Sequence, residues 1–137
     1  MSEKILEIQE VFNVTIDQDK YGSYDGYEIV TDKQRVKLLI SNEQECCESW
    51  GYFMSEDDFE DFIGADLIGI TITDSALNTR KFNEEIDEYS VEEGDTMFVN
   101  IETSNGLLQF TAYNAHNGYY SHEAYIISEQ LTHKEKL

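Results

Sequence analysis

The short connections between apolar segments constrain the fold of this chain more than any other sequence feature. Apolar and polar side chains alternate from Ile5 to Ile16, which predicts a strand. Further strands are predicted at Tyr27–Thr31 and Val36–Ile40, with turns at residues 17–22 and 32–34. Connections of this length cannot hold a crossover helix, so we expect neighbouring strands to run antiparallel.

The second half of the chain continues the same pattern. A strand is predicted at Asp66–Thr73 and a last strand at His122–Ser128. The clearest hairpin joins Thr96–Thr103 to Leu107–Tyr113, and Asn105-Gly106 between them is a dipeptide typical of tight turns.

One short helix is predicted at Glu56–Ile63. Ser55 is a suitable N-cap, acidic residues fill the first turn, and Phe59, Phe62 and Ile63 share one face. The predicted fold class is therefore α+β, a mostly antiparallel sheet with one or two short helices. We expect a single domain over residues 1–137, with residues 130–137 forming a frayed tail.

Composition is that of a globular protein. Hydrophobic residues make up 40% of the 137 residues and aromatic residues 12%, which is enough for a core and too much for a disordered acidic tail. No apolar run has the length of a membrane span, and the first residues lack the apolar segment of a signal peptide. We expect a cytoplasmic protein.

The net charge of −20 limits the possible partners. Nine Lys and Arg residues face 29 Asp and Glu residues, and between Leu38 and His133 the only basic residues are Arg80 and Lys81. Such a field repels nucleic acids and membrane surfaces and attracts basic proteins. Three explanations remain open: a solvated surface that keeps the protein soluble, an imitation of a phosphate backbone, and an acidic surface for metals.

The chain has two cysteines, and they are adjacent. Neighbouring Cα atoms lie about 3.8 Å apart, less than the roughly 4.4–6.8 Å that a disulfide usually spans. A bond between Cys46 and Cys47 is therefore not expected, and the cytoplasm would keep both thiols reduced. Either they are packing residues, or they bind a metal.

Two histidines supply the complementary ligands. His116 and His122 flank the turn dipeptide Asn117-Gly118, so both rings can approach one point. Two thiolates and two imidazoles make a tetrahedral zinc set, although the spacing is not that of a zinc finger. Adjacent residues of a strand also point to opposite faces, so the chain must bend at the cysteines for both to bind. An ordinary polar loop is the alternative explanation for the histidines.

An enzyme is the less favoured interpretation. A cysteine–histidine pair could act as nucleophile and base, and zinc near Glu48 or Glu123 could activate water. However, the sequence contains no HExxH, no deaminase-type zinc motif, no G-x-S-x-G and no glycine-rich phosphate loop. We therefore expect no catalytic residues.

Two motifs carry a resemblance to a known group of proteins: Cys46-Cys47-Glu48-x-Trp50-Gly51 and Tyr113-Asn114-x-His116-Asn117-Gly118-Tyr119-Tyr120-x-His122. Over residues 35–127 the chain resembles small acidic proteins of unknown function carried by phages and mobile elements, some of which resemble type II anti-CRISPR proteins that inhibit Cas9. The resemblance implies zinc bound by Cys46, Cys47, His116 and His122, and an inhibitory role without catalysis.

The acidic character fits such an inhibitor. Cas9 holds its guide–target duplex in a positively charged channel, which a compact acidic protein could occupy. We expect a monomer. The alternatives are an acidic phage-encoded binding module that masks a different basic host protein, and a small zinc or thiol enzyme. The predicted partner-binding residues are the carboxylates of two clusters: Glu56, Asp57, Glu60 and Asp61 in the first, and Glu84, Glu85, Asp87, Glu88, Glu92 and Glu93 in the second.

Overall fold

The structure, a computed structural model, describes residues 3–42, 49–73, 75–78, 80–82, 95–115 and 122–137, with Ser49, Asp95 and Ala115 described by their main chain only. These residues contain nine strands: β1 Ile5–Ile16, β2 Asp19–Thr31, β3 Arg35–Ser41, β4 Ser49–Met54, β5 Leu67–Thr73, β6 Asp95–Thr103, β7 Gly106–Ala115, β8 Glu123–Ile127 and β9 Thr132–Lys136.

The strands form two antiparallel sheets. One sheet has the order β1-β2-β3-β8-β9 and the other the order β4-β7-β6-β5. Every pair of neighbouring strands is antiparallel, so the prediction from the short connections is confirmed. The hairpin of β6 and β7 is confirmed too, although Thr103 pairs with Gly106, so the two loop residues are Ser104 and Asn105.

The two sheets share one apolar core. Alternate residues of β3, which are Val36, Leu38 and Ile40, belong to the same buried cluster as Val99 and Ile101 of β6, and all five are fully buried. Complete burial of such a side chain stabilises a fold by about 1.5–3 kcal/mol. The period of two in β3 therefore fixes which of its faces meets the second sheet.

The predicted α+β class is wrong, because the described residues contain almost no helix. The region predicted as the helix Glu56–Ile63 holds only a 3-10 turn at Glu60–Phe62. The Ser55 hydroxyl accepts a hydrogen bond from the Gln109 amide of β7 at 2.9 Å, so it does not cap a helix. Tertiary pairing with β7 has overridden the local helix signals.

The predicted frayed tail is also wrong. Thr132–Lys136 forms β9, the edge strand beside β8, and Leu137 belongs to the main core with an exposed fraction of 4%. Strand β2 likewise starts at Asp19, earlier than predicted, because its first half pairs with the end of β1. Both differences arise from pairing partners that local sequence does not reveal.

Strand β4 runs across the strands of the five-stranded sheet. Trp50 stacks on His122, the residue before β8, whereas Tyr52 lies against Tyr27 of β2 and donates a hydrogen bond to Glu10 of β1. Two residues of β4 thus span the distance from β8 to β1. This crossing places the start of β4 at the same end of the sandwich as the start of β8.

Candidate metal centre and acidic surface

Of the four predicted metal ligands, the structure describes His122, while Cys46, Cys47 and His116 lie outside the described residues. The His122 side chain is buried, with an exposed fraction of 1%. Its main-chain amide donates to the Leu137 carbonyl at 2.9 Å, and its carbonyl accepts from the Leu137 amide at 2.8 Å. The end of the chain therefore fixes the backbone of His122.

Two neighbours hold the imidazole of His122. Its Nδ1 atom lies 2.7 Å from the carbonyl oxygen of Ser41 and 3.1 Å from the Ser41 hydroxyl. The ring stacks on the Trp50 indole, with centroids 5.3 Å apart and planes 27° apart. A hydrogen bond from one ring nitrogen to a carbonyl is the usual support of a histidine whose other nitrogen binds metal. The surroundings of His122 therefore fit a zinc ligand.

The sheets bring together the described ends of the two segments that carry the other predicted ligands. Ser49, which follows the cysteine segment, pairs with Ala115, the residue before His116. Ser41, at the other end of the cysteine segment, contacts His122 directly. Among the residues that the structure describes, no group of three or more His, Cys, Asp or Glu side chains could hold a metal ion. The four-ligand set stays a prediction.

Packing accounts for two further positions of the motifs. Gly51 of β4 pairs with Tyr113 of β7, and a Cβ atom built on Gly51 would lie 2.5 Å from the Tyr113 hydroxyl and 2.8 Å from its ring carbon Cζ. The tyrosine ring thus covers the glycine across the strand pair. This contact joins the two motifs across the strand pair.

The first acidic cluster surrounds the 3-10 turn. Glu56, Asp57, Glu60 and Asp61 are all exposed. Asp57 forms an ion pair with Lys81 at 2.5 Å, although 93% of the Asp57 side chain remains accessible. The second cluster lies outside the described residues, and its members are Glu84, Glu85, Asp87, Glu88, Glu92 and Glu93.

Negative charge is unevenly distributed along the sequence. Residues 43–121, which include every strand of the four-stranded sheet, contain 18 Asp and Glu residues but only two basic residues. The rest of the chain contains 11 acidic and seven basic residues. There, ion pairs such as Arg35–Glu28 at 2.6 Å and Lys134–Glu123 at 3.3 Å balance part of the charge. The middle stretch of the sequence, residues 43–121, therefore carries most of the net charge.

One cleft in the described structure, of about 280 Å³, is lined by carboxylates. Its lining includes Asp19, Tyr24 and Glu123. The Tyr24 hydroxyl donates to the Asp19 carboxylate at 2.7 Å, and the Tyr21 and Gly22 amides donate to it as well. The tyrosine hydrogen bond is the main reason that the pKa of Asp19 is lowered. A carboxylate held ionised in this way is unsuited to donating a proton.

Fold and site define an acidic protein of two antiparallel sheets with a buried, oriented histidine at one end of the sandwich. The chain belongs to the family described as Domain of unknown function (DUF7448), whose family model matches residues 2–126. The match covers both sequence motifs, and membership of a family of unknown function was expected. No curated protein and no solved structure matches the chain.

The described residues include no helix with the length and apolar character needed to cross a membrane.

Sequence reasoning missed Ser41 and Leu137, the residues that orient His122. The role of Ser41 depends on its main-chain carbonyl, which any residue would supply, so no signal in the sequence marks it. Leu137 was missed because residues 132–136, Thr-His-Lys-Glu-Lys, are all polar and carry no apolar alternation that would predict a strand before it.

Proposed function

We propose that this protein is a non-catalytic inhibitor whose acidic face occupies the nucleic-acid-binding surface of a basic protein in the bacterial cytoplasm. The observation that carries the proposal is the concentration of 18 carboxylates and two basic residues in residues 43–121. Cas9 is the proposed target, because its nucleic-acid channel is positively charged and because the two motifs resemble those of a family in which some members resemble anti-CRISPR proteins.

One-sided charge suits this role better than evenly spread charge. A surface of one sign steers a partner of the opposite sign and directs which face makes contact. The exposed carboxylates around the 3-10 turn, which include Glu56, Asp57, Glu60 and Asp61, belong to that proposed surface. Binding of this kind weakens as salt rises, since screening shortens the reach of exposed charges to about 8 Å at physiological ionic strength.

The proposed zinc serves the fold. Cys46, Cys47, His116 and His122 would join the β3–β4 connection to the β7–β8 connection through one ion, and thiolate and imidazole are the ligands that zinc prefers. Bound zinc would supply a rigid crosslink there. The 1% exposure of His122 supports a closed structural site, because a catalytic zinc needs a position open to water or substrate.

The proposed inhibition is tested by measuring how much target DNA guide-loaded Cas9 cleaves when the protein is present. The parent protein at excess should prevent cleavage. The triple variant E56Q/E60Q/D61N removes three exposed charges from the proposed face. Its matched control, E7Q/D17N/E129Q, removes three exposed charges from the five-stranded sheet and its turns.

We expect the first variant to inhibit about tenfold or more weakly than the parent, since each lost charge contact contributes up to about 1 kcal/mol. The control should inhibit like the parent. Equal losses in both variants would show that only net charge matters. Uninhibited cleavage with the parent at large excess would remove Cas9 as the target and leave a different basic host protein, to be sought by pull-down from host lysate.

A further inference from the structure

We infer that the Ser41 carbonyl and the Trp50 indole hold His122 with its proton on Nδ1, so that Nε2 is the atom through which His122 binds zinc. The inference rests on the proposed metal centre and adds to it the ligating atom and the positioning residues. Nothing in the sequence distinguishes the two nitrogens, because either can bind a metal.

The assignment of the proton follows from the partner of Nδ1. The Ser41 carbonyl oxygen, 2.7 Å from Nδ1, can only accept a hydrogen bond. Nδ1 must therefore be the donor and carry the proton. In a neutral imidazole the lone pair that can bind a metal then resides on Nε2.

The Ser41 hydroxyl offers the competing arrangement. It lies 3.1 Å from Nδ1 and could donate to that nitrogen in the other tautomer. That tautomer would place the Nδ1 lone pair against the carbonyl lone pairs at 2.7 Å, within the low-dielectric interior where such a contact is unfavourable. The carbonyl therefore decides the tautomer, and the hydroxyl is secondary.

Trp50 and Leu137 restrict the remaining freedom of His122. The indole lies along one face of the imidazole, 27° from parallel, which limits rotation of the ring. The two main-chain hydrogen bonds to Leu137 fix the backbone from which the ring projects. A ligand held in this way loses little rotational freedom when a metal binds, which favours affinity.

Nitrogen-15 NMR of the protein loaded with ¹¹³Cd, a spin-active substitute for zinc at thiolate and imidazole sites, tests the inference. We expect coupling between cadmium and Nε2 of His122, and a protonated Nδ1. The same pattern should persist in Ser41→Ala, which keeps the carbonyl and removes the hydroxyl. Coupling through Nδ1, or a change of tautomer in Ser41→Ala, would overturn the inference while leaving the metal centre intact.

Substitution of Trp50 provides the second readout. Trp50→Phe keeps an aromatic face for the imidazole, whereas Trp50→Leu does not. Since loss of a supporting contact typically lowers metal affinity about 10–100-fold, we expect that loss for leucine and a rescue by phenylalanine. Equal affinities in the leucine variant and the parent would remove Trp50 as a positioning residue. A parent protein that binds neither cadmium nor zinc would refute the metal centre itself, and the Nδ1 proton would still be visible in its spectrum.

Discussion

The imidazole of His122 stacks on the indole of Trp50, with their centroids 5.3 Å apart. Trp50 is the only tryptophan of the chain, so its fluorescence reports directly on the ring that we assign to the metal. The contact joins β4 of one sheet to the start of β8 of the other. The proposed metal centre therefore lies where the two sheets meet, and its loss should be felt by both.

Replacing His122 should remove the metal. We expect a zinc-to-chain ratio near one in the parent and a ratio far below it in His122→Gln, because one lost ligand opens a four-coordinate site. His133→Gln is the control, since His133 is not one of the predicted ligands. It lies on the edge strand β9, where its Nε2 atom is 3.4 Å from Oε1 of Glu135. Elemental analysis of the untagged proteins measures these zinc-to-chain ratios. Equal zinc contents in the parent and His122→Gln would contradict the assignment.

Truncating the last side chain should weaken the fold. Leu137 is 4% exposed and part of the core, so Leu137→Ala should lower the free energy of unfolding by about 2–5 kcal/mol. Leu107→Ala, at a position 37% exposed, should cost clearly less. Urea denaturation followed by circular dichroism measures both. A Leu137→Ala variant as stable as the parent would mean that the Leu137 side chain contributes little to the core.

Glu3 should prove to be a structural carboxylate. Its Oε2 accepts hydrogen bonds from Thr31 at 2.6 Å and Gln34 at 2.8 Å, and its Oε1 accepts one from Gln130 at 2.9 Å. Glu3→Gln puts an amide donor against these donors, which should cost about 1–3 kcal/mol of unfolding free energy.

The exposed neighbour Glu7 provides the control for that change. Glu7→Gln should alter stability by no more than about 0.5 kcal/mol, as is usual for surface substitutions. Both values come from the same urea titrations. If the two variants were equally stable, the hydrogen bonds around Glu3 would not contribute to folding.

Gly26 should not tolerate a side chain. A Cβ atom built there would overlap the Leu38 carbonyl oxygen of the neighbouring strand and lie 3.0 Å from the Leu39 Cα atom. Since the obstacle is backbone, Gly26→Ala should lower the unfolding free energy by about 1–3 kcal/mol. At Gly69 the nearest atom is 3.8 Å away, so Gly69→Ala should be close to neutral. Thermal denaturation measures both variants, and equal melting temperatures for Gly26→Ala and Gly69→Ala would disprove the clash.

Asp19 should make the free energy of unfolding depend on pH in the acidic range. The Tyr24 hydroxyl lowers the pKa of the folded-state carboxyl below its ordinary value of 3.8. The ionised group therefore stabilises the fold above pH 3.8, and this contribution is lost as the pH falls through the lowered pKa. The parent should exceed Asp19→Asn in stability at neutral pH, and the difference should shrink in acid. A difference that stayed constant down to about pH 3 would refute the linkage.

Most strands could be predicted because each has its own alternating pattern. β1 was predicted with its observed bounds, and β3 and β5 within one residue at each end. In β3 the alternate residues Val36, Leu38 and Ile40 lie in the core, so a period of two is visible in the local sequence. Strand β9 has no alternating apolar pattern, although Leu137 directly after it lies in the core. Its charged residues lie at a sheet edge beside β8.

The predicted helix failed for a different reason. Ser55 and the acidic residues after it do carry a helix start signal. However, the Ser55 amide donates to the Gln109 carbonyl of β7 at 2.8 Å, and the Gln109 amide donates to the Ser55 hydroxyl at 2.9 Å. A residue 54 positions away decides its conformation. Of the predicted site, His122 lies in surroundings that fit a zinc ligand, while the Ser41 carbonyl that orients it could emerge only from the fold.

We propose above all that this acidic protein prevents Cas9 from binding DNA. The most direct measurement is the fluorescence anisotropy of a labelled target duplex bound to guide-loaded Cas9 as the protein is added. The account predicts that anisotropy falls to the value of free DNA, and that higher salt raises the concentration of protein required, because exposed charges are screened. Anisotropy that stays at the bound value with the protein in large excess would contradict it.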